Sequence, residues 1–181
     1  MSVFASAYFR DQFSTPQMRA VFADEARLDG WLRAEVALAR AQAGLGLIPA
    51  EAAAEIARVA QQPGALDLAA MKPDYDTSGV AIIPLVRHLG ALLTPEARRW
   101  LHWGATTQDI LDTGFTLQIR EALALIADDM DAVIRALASL AARHRDTVMA
   151  GRSFQQQAVP ITFGYKAAVW LDEALRHRAR L

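Results

Sequence analysis

The second half of the chain carries the most regular pattern of apolar positions. Seven apolar residues follow one another at alternating intervals of four and three: Ile119, Leu123, Ile126, Met130, Val133, Leu137 and Leu140. This heptad spacing places them on one face of an α-helix. Just before them, Thr106 and Asp109 have the spacing of a capping box, although Asp replaces the usual Glu. The pattern predicts one long helix from residue 107 to about residue 145.

Proline, glycine and hydroxyl residues divide the rest of the chain into shorter predicted helices. Thr15-Pro16 and Thr94-Pro95 each combine an N-cap hydroxyl with a proline at the first helical position, where the missing N–H costs nothing. The predicted helices cover residues 16–43, residues 49–61 with Pro63-Gly64 as the stop, a short stretch within 66–75, residues 78–93 with a kink at Pro84, residues 95–101, and a last helix from Pro160 onward. The sequence shows no strand-like alternation, so the predicted fold class is all-α.

The long helix exceeds the size of the domain that should bury it. About 37 helical residues extend about 55 Å, whereas a compact globule of this chain length is roughly 40 Å across. The apolar seam therefore needs partner helices from another subunit or from further chain, which predicts self-association. The alternative is a two-helix hairpin with the last helix folded back, which would leave part of the seam exposed to water.

Composition narrows the class of protein. The chain is 53% hydrophobic and 22% charged, which allows a large core, and its net charge of -1 provides no basic field for nucleic acid. It has no cysteine, which excludes disulfides and a thiolate nucleophile. The four histidines, His88, His102, His144 and His177, show no metal-ligand spacing.

No segment has the character of a membrane span or a secretion signal. The first twelve residues lack a long apolar run. The richest apolar stretch, residues 79–93, is interrupted by Pro84, Arg87 and His88 and is too short and polar to cross a bilayer. We therefore expect a cytoplasmic protein that binds neither membrane nor nucleic acid.

The first of two polar segments lies at the start of the long helix and reads HWGATTQDILDTG from His102. Free N–H groups and the positive end of the helix dipole favour a carboxylate there. The hydroxyls of Thr106 and Thr107 can donate to the same anion. The alternative is simple N-capping by one of these threonines, which needs no ligand.

The second polar segment reads TVMAGRSFQQQAVPITFGYK from Thr147, and we predict a loop over residues 151–157. Arg152 is a planar, bidentate donor suited to a carboxylate. Ser153 and three consecutive glutamines, Gln155 to Gln157, surround it with neutral donors. The alternative is a solvated turn in which Arg152 pairs with an acidic neighbour.

Both segments carry a family resemblance. HWGATTQDILDT resembles the first signature of the fumarase/aspartase superfamily, with Thr107 where Ser is usual, and MAGRSFQQQAVPITFGYK resembles the second. FSTPQMRAVFADEARLDGWLRAEVALARAQAGLGLIP is similar to the N-terminal helix of the 3-carboxy-cis,cis-muconate cycloisomerase branch. Phe154 stands where adenylosuccinate lyases have a catalytic His, and Gln12-Phe13 stands where they have Arg-Tyr. These departures favour the cycloisomerase branch.

The resemblance implies a reaction next to a carboxylate, without metal or cofactor. In the cycloisomerase branch, the substrate's own carboxylate adds to a double bond and closes a muconolactone in the protocatechuate branch of aromatic degradation. The substrate would be a small di- or tricarboxylate and the assembly a homotetramer. The substrate-binding candidates are His102, Thr106, Thr107, Gln108, Arg152, Ser153 and Gln156.

The resemblance also implies that this chain is the N-terminal portion of such an enzyme. Residues 1–105 would form an N-terminal helical domain with the first signature, and residues 106–181 the start of a central long-helix bundle. The family's catalytic base lies on a later mobile loop, beyond Leu181, so we expect the chain alone to be inactive, with His102 a weak candidate for the base. Two alternative hypotheses for the function remain open: an adenylosuccinate- or argininosuccinate-type lyase, and a non-catalytic helical oligomerisation module.

Overall fold

A computed structural model describes residues 3–62 and 64–181; Pro63, half of the predicted helix stop, lies outside them. Apart from turns and loops, the described residues form helices and one two-stranded antiparallel hairpin, which confirms the all-α class. The elements are 3₁₀ turns at Val3–Ala5 and Arg10–Gln12, α1 (Pro16–Val21), α2 (Asp24–Gly44), α3 (Ala50–Ala60), α4 (Leu68–Ser78), α5 (Ile82–Ala91), α6 (Pro95–Arg98), α7 (Thr107–Arg143), β1 (Val148–Ser153), β2 (Gln156–Thr162) and α8 (Phe163–Arg178).

The chain forms two compact units, Met1–Glu121 and Ala122–Leu181, and α7 contributes residues to both. The 37 residues of α7 form one unbroken α-helix, as the heptad seam predicts, although it ends two residues earlier than expected. The domain boundary expected between residues 105 and 106 stays a prediction.

The predicted helix starts are confirmed by their capping bonds. The Thr15 hydroxyl accepts a hydrogen bond from the Met18 N–H at 3.2 Å, and the Thr94 hydroxyl accepts one from the Ala97 N–H at 3.3 Å. In each case proline follows at the first helical position. Pro49 likewise immediately precedes α3. Local sequence therefore fixes where these helices begin.

The single helix predicted over residues 16–43 is wrong, because the chain breaks between α1 and α2. Ala23 is extended, with φ −65° and ψ 156°. The buried Gln118 amide of α7 donates to the Val21 carbonyl at 2.7 Å and satisfies a group that a continuous helix would use itself. The Phe22 ring lies 6.4 Å from the Phe115 ring of α7. Tertiary contacts with a distant element thus override a helical local sequence.

The predicted helix over residues 78–93 is also wrong in its start and its kink. The preceding helix, α4, continues to Ser78 and ends at Gly79, whose φ of +66° is left-handed. The next helix, α5, begins only at Ile82, so Pro84 falls in its first turn. No intrahelical partner is needed for a backbone N–H at that position, and Pro84 therefore causes no break. The following helix, α6, is shorter than predicted and ends at Arg98.

Aliphatic side chains fill the core of the first unit. One cluster joins α2, α3, α5 and the α6 region, and the second joins α2, α4, α5 and the start of α7. Their most deeply buried members are Ile56, Ile82, Leu85 and Leu89. These clusters hold α2 in the middle of the unit, beside the polar segment that precedes α7.

Gly30 and Gly114 mark a close crossing of α2 and α7. A Cβ atom on Gly114 would lie 2.7 Å from Trp31 Cδ1 and 3.2 Å from the Gly30 carbonyl carbon. A Cβ on Gly30 would lie 3.1 Å from the Gly114 carbonyl oxygen. Two glycines in helix interiors cost helical stability. Here they allow two backbones to touch.

In the second unit, α8 folds back along α7, as the hairpin alternative described. Arg178 near the end of α8 binds Asp131 of α7 through Nε and Nη2, at 2.7 and 3.2 Å. At the other end, the Gly164 N–H donates to the His144 carbonyl at 2.8 Å and the Phe163 N–H to the Thr147 carbonyl at 2.9 Å. Several seam residues of α7 remain exposed, among them Ile119, Leu123, Ile126 and Val133.

The predicted loop over residues 151–157 and the helix start at Pro160 are wrong. These residues belong to the β1–β2 hairpin, and α8 begins at Phe163 behind a Thr162 cap. The two-residue turn places Phe154 at φ +48° and Gln155 at φ +64°, as a type I′ turn requires. Such turns usually contain Asn-Gly, so this sequence gave no hairpin signal. A bulge beside the buried Gly151 also shifts the register of the strand pairing.

No helix among residues 3–62 and 64–181 combines the length and the apolar character needed to cross a membrane.

We predict that Gly114→Ala lowers the free energy of unfolding by about 1–2 kcal/mol. Overpacking at the crossing costs about 1–3 kcal/mol, and the gain in helix propensity returns up to about 1 kcal/mol. The control is Gly44→Ala at the end of α2, where an added Cβ meets nothing within 4 Å. Denaturant unfolding should show the control unchanged or slightly stabilised. Equal effects of the two variants would contradict a close helix crossing at Gly114.

We also predict that the protein self-associates through the exposed seam of α7, because water contact with this apolar row is unfavourable. Ile126→Lys should weaken association in sedimentation velocity at tens of micromolar. Ala124→Lys adds the same side chain on the opposite side of the helix and should not. A wild-type chain that sediments as a monomer and melts cooperatively would contradict the prediction.

Candidate active site

The first polar segment connects α6 to α7 through a left-handed backbone. His102 has φ +57°, and Gly104 has φ +70°. A histidine in this region is uncommon and costs conformational energy, so neighbouring contacts must hold it there. The segment therefore places the His102 ring in one fixed position.

Helix α2 supplies two of these contacts. Glu35 Oε1 lies 2.6 Å from His102 Nδ1, and the Gln42 amide donates to the Trp103 carbonyl at 2.7 Å. Glu35 and Gln42 are seven residues apart, which puts them on the same face of α2 two turns from one another. The Trp103 ring also packs edge-on against Trp100, with centroids 5.0 Å apart.

Glu35 is a functional candidate that the sequence interpretation missed. Its side chain is only 1% exposed, and burial raises the pKa of its carboxyl group, an effect that the His102 contact partly opposes. The feature of the sequence that could have identified Glu35 is its position along α2. Leu28, Glu35 and Gln42 follow at intervals of seven, so a carboxylate and an amide continue a stripe that begins with a buried leucine. An acidic residue in a buried stripe is rare unless it is paired.

His102 and Thr107 line one cavity of about 370 Å³. Its other walls are Ile82, Ile83, Val86, Arg87, Arg98 and Leu101. Arg87 also binds Asp74, with Nη1 2.7 Å from Oδ1. A cavity with two guanidinium groups, an imidazole and a hydroxyl can bind a small anion, and the apolar wall can contact its carbon skeleton.

The other two candidates in this segment are exposed and hydrogen-bonded within it. The Thr106 N–H donates to Asp109 Oδ2 at 2.9 Å, which is one half of the predicted capping box. The Gln108 amide donates to Asp112 at 2.5 Å. The Asp109 carboxylate offsets part of the positive potential at the start of α7. The structure thus brings together His102 and Thr107, while Thr106 and Gln108 lie outside the cavity wall.

The candidates of the second segment lie on the hairpin, in the second unit. Ser153 pairs with Gln156 across the turn, and Arg152 pairs with Gln157. All of these residues are exposed. In the described part of the chain, Arg152 has no acidic partner, in contrast to the alternative of a paired surface cation. Its guanidinium group is therefore available to an anion.

Within residues 3–62 and 64–181, no group of three or more His, Asp or Glu side chains is placed to hold a metal ion. The predicted site residues are hydrogen-bond donors, one of which, His102, is paired with a carboxyl group, and their chemistry suits an organic anion.

Comparison with known proteins assigns the chain to a family. A lyase family model matches residues 10–181. N-acetyl-S-(2-succino)cysteine lyase of Enterococcus italicus is 44% identical over 172 residues, covering 95% of this chain and 37% of that protein. The 3-carboxy-cis,cis-muconate cycloisomerase of Pseudomonas putida is 44% identical over 176 residues, covering 96% of this chain and 42% of that protein.

The crystal structure of fumarate lyase from Mesorhizobium sp. BNC1 has a similar fold, with a TM-score of 0.88 and 50% identity over 93% of this chain and 39% of that chain. This chain thus spans well under half the length of the proteins it matches. The family match covers nearly the whole chain and agrees with both signatures, and the chain therefore belongs to the lyase family of the fumarase/aspartase superfamily.

Proposed function

We propose that the protein containing this chain closes a lactone ring in a 3-carboxy-cis,cis-muconate-like substrate. The observation that carries the proposal is the 44% identity to the Pseudomonas putida cycloisomerase across 96% of the chain. Phe154 supports it, because an aromatic residue replaces the catalytic histidine that an adenylosuccinate lyase would have there.

The proposed reaction needs a site that binds several carboxylates. One substrate carboxylate forms a C–O bond to a carbon of the double bond, and the electron pair of that double bond moves toward a neighbouring carboxylate. An enolate-like dianion results, and a proton delivered to carbon completes the addition. Donors that are preorganised around the developing charge supply most of the rate gain in such a step.

The candidate residues have the corresponding chemistry. His102, Thr106, Thr107 and Gln108 offer an imidazole, two hydroxyls and an amide around the start of α7, and Arg98 adds a cation to the cavity. On the hairpin, Arg152, Ser153 and Gln156 offer a guanidinium, a hydroxyl and a second amide. We assign these seven predicted residues to substrate binding, with no metal or cofactor.

Among these candidates, only His102 has a side chain with one ring nitrogen that can donate a hydrogen and another that can accept one. The expectation that the 181-residue chain alone is inactive stays a prediction, as does the homotetramer. The exposed seam of α7 supports a homo-oligomer.

An eliminating lyase is the second candidate function. The Enterococcus italicus N-acetyl-S-(2-succino)cysteine lyase has the same 44% identity as the cycloisomerase. Both reactions build negative charge beside a carboxylate, so the same donors would serve either one.

We predict that the complete protein converts 3-carboxy-cis,cis-muconate and that the loss of diene absorbance follows the reaction. The same preparation is assayed with N-acetyl-S-(2-succino)cysteine and with adenylosuccinate. Cycloisomerisation with the highest kcat/KM of the three supports the proposal. A higher kcat/KM for either succinyl compound would instead establish the lyase alternative.

Arg152→Ala in the complete protein should raise the activation free energy for kcat/KM by about 2–4 kcal/mol, because a charged partner of the substrate is lost. This corresponds to a fall in kcat/KM of roughly 30- to 1,000-fold. The fold should be retained, since Arg152 is exposed on a hairpin. The control is Arg145→Ala, which removes another exposed arginine of the same unit, one paired with its neighbour Asp146. Wild-type kinetics for Arg152→Ala, or an equal loss in the control, would show that Arg152 is only a surface cation.

A further inference from the structure

Only one of the two oxygens of the Glu35 carboxyl group contacts His102. Glu35 Oε1 lies 2.6 Å from His102 Nδ1. Glu35 Oε2 is buried and has no hydrogen-bond partner in the described chain. A fully ionised carboxylate in such a place would leave one oxygen without compensation, which is costly. Burial accordingly raises the pKa of Glu35. The pair is therefore stabilised when it holds a proton.

The position of that proton determines whether the other ring nitrogen of His102, Nε2, carries a hydrogen. If Glu35 is ionised and His102 is a cation, Nε2 carries a hydrogen. If Glu35 is protonated, its hydroxyl donates to Nδ1, and the neutral ring again carries its hydrogen on Nε2. Both arrangements of the pair make Nε2 an N–H donor. Only when the pair loses the proton does Nδ1–H donate to an ionised Glu35 and leave a lone pair on Nε2.

The His102 side chain forms part of the cavity wall. His102 is 18% exposed and lines the cavity with Arg87, Arg98 and Thr107. Within the described residues, Nε2 has no hydrogen-bond partner. The charged groups that contact the ring or line the same cavity are Glu35 from α2, Arg87 from α5 and Arg98 from α6. Arg87 is partly neutralised by Asp74.

Ring rotation is restricted by the same helix. Gln42, two turns after Glu35, binds the Trp103 carbonyl and holds the backbone next to His102. The left-handed φ of His102 sets the direction in which its side chain leaves the backbone. Glu35 then selects one orientation of the imidazole within that space.

We infer that Glu35 is a positioning residue that holds His102 in the cavity with Nε2 as an N–H donor toward a bound carboxylate. The pair acts as a unit. When Nε2 gives up its hydrogen, the remaining hydrogen lies on Nδ1 and donates a hydrogen bond to the Glu35 carboxylate, so the imidazole ring is neutral and the negative charge lies on Glu35. This inference rests on the proposed function only in supplying an anionic substrate for the donor to meet.

The direct test is the protonation state of His102 in the wild-type chain. Long-range ¹H–¹⁵N NMR of the 181-residue protein, with His102 assigned by His102→Gln, reports each ring nitrogen separately. We expect Nε2 to carry a hydrogen at pH 7. An unprotonated Nε2 with a protonated Nδ1 at pH 7 would overturn the inference, and this measurement needs no variant at Glu35.

The kinetic test uses Glu35→Gln in the complete protein, because glutamine keeps the shape and removes the ionisable group. We expect kcat/KM for the preferred substrate to fall roughly 100-fold, the scale of a misplaced reacting group, and the alkaline limb of its pH profile to shift. Glu121→Gln, which removes an exposed carboxylate paired with Arg33, is the control. A loss of activity with an unchanged pH profile and an unchanged His102 titration would reduce Glu35 to a structural role.

The two proposals fail separately. If none of the three substrates reacts but Nε2 is protonated as expected, the proposed function fails and the role of Glu35 stands. If the cycloisomerase reaction is found and Nε2 lacks its hydrogen at pH 7, the function stands and the role of Glu35 fails.

Discussion

The first unit depends on how closely α2 can approach the first turns of α7. Glycine on both helices removes the side chains that would separate them, and Gly30 and Gly114 bring the backbones into contact. That approach brings Glu35 and Gln42 to the segment before α7, where they contact His102 and Trp103. A wider crossing would move both side chains away from these partners. The position of His102 at the cavity wall thus depends on packing between two backbones.

Features encoded within a few neighbouring residues could be predicted from the sequence. The caps at Thr15 and Thr94 form as expected, and the heptad seam identifies α7 over nearly its full length. Both signals are local: one is a hydroxyl three residues before an N–H group, and the other is a repeated interval along one helix. Such features do not depend on where the rest of the chain lies.

Features that depend on distant residues could not be predicted in this way. The break after Val21 is satisfied by Gln118, which is 97 residues further along the chain. The role of Glu35 requires His102, 67 residues away. The hairpin was missed for a different reason. Its turn uses Phe154 and Gln155 in left-handed conformations that cost roughly 1–2 kcal/mol per residue, so its sequence resembles a loop. The seven site residues were predicted from their chemistry and from the family resemblance, without knowledge of their surroundings, and their role stays a prediction.

The base of the hairpin has a consequence for how this family can change. Phe163 and Gly164 bind the carbonyls of Thr147 and His144, so the chain leaves α7 and enters α8 at two neighbouring, fixed points. The exposed hairpin between them contributes little to the packing of the helices, with Phe154 97% exposed at its tip. Substitutions there can accumulate at small cost to folding. Evolution can therefore alter the exposed side chains of the hairpin, one residue at a time, while the helical scaffold stays the same.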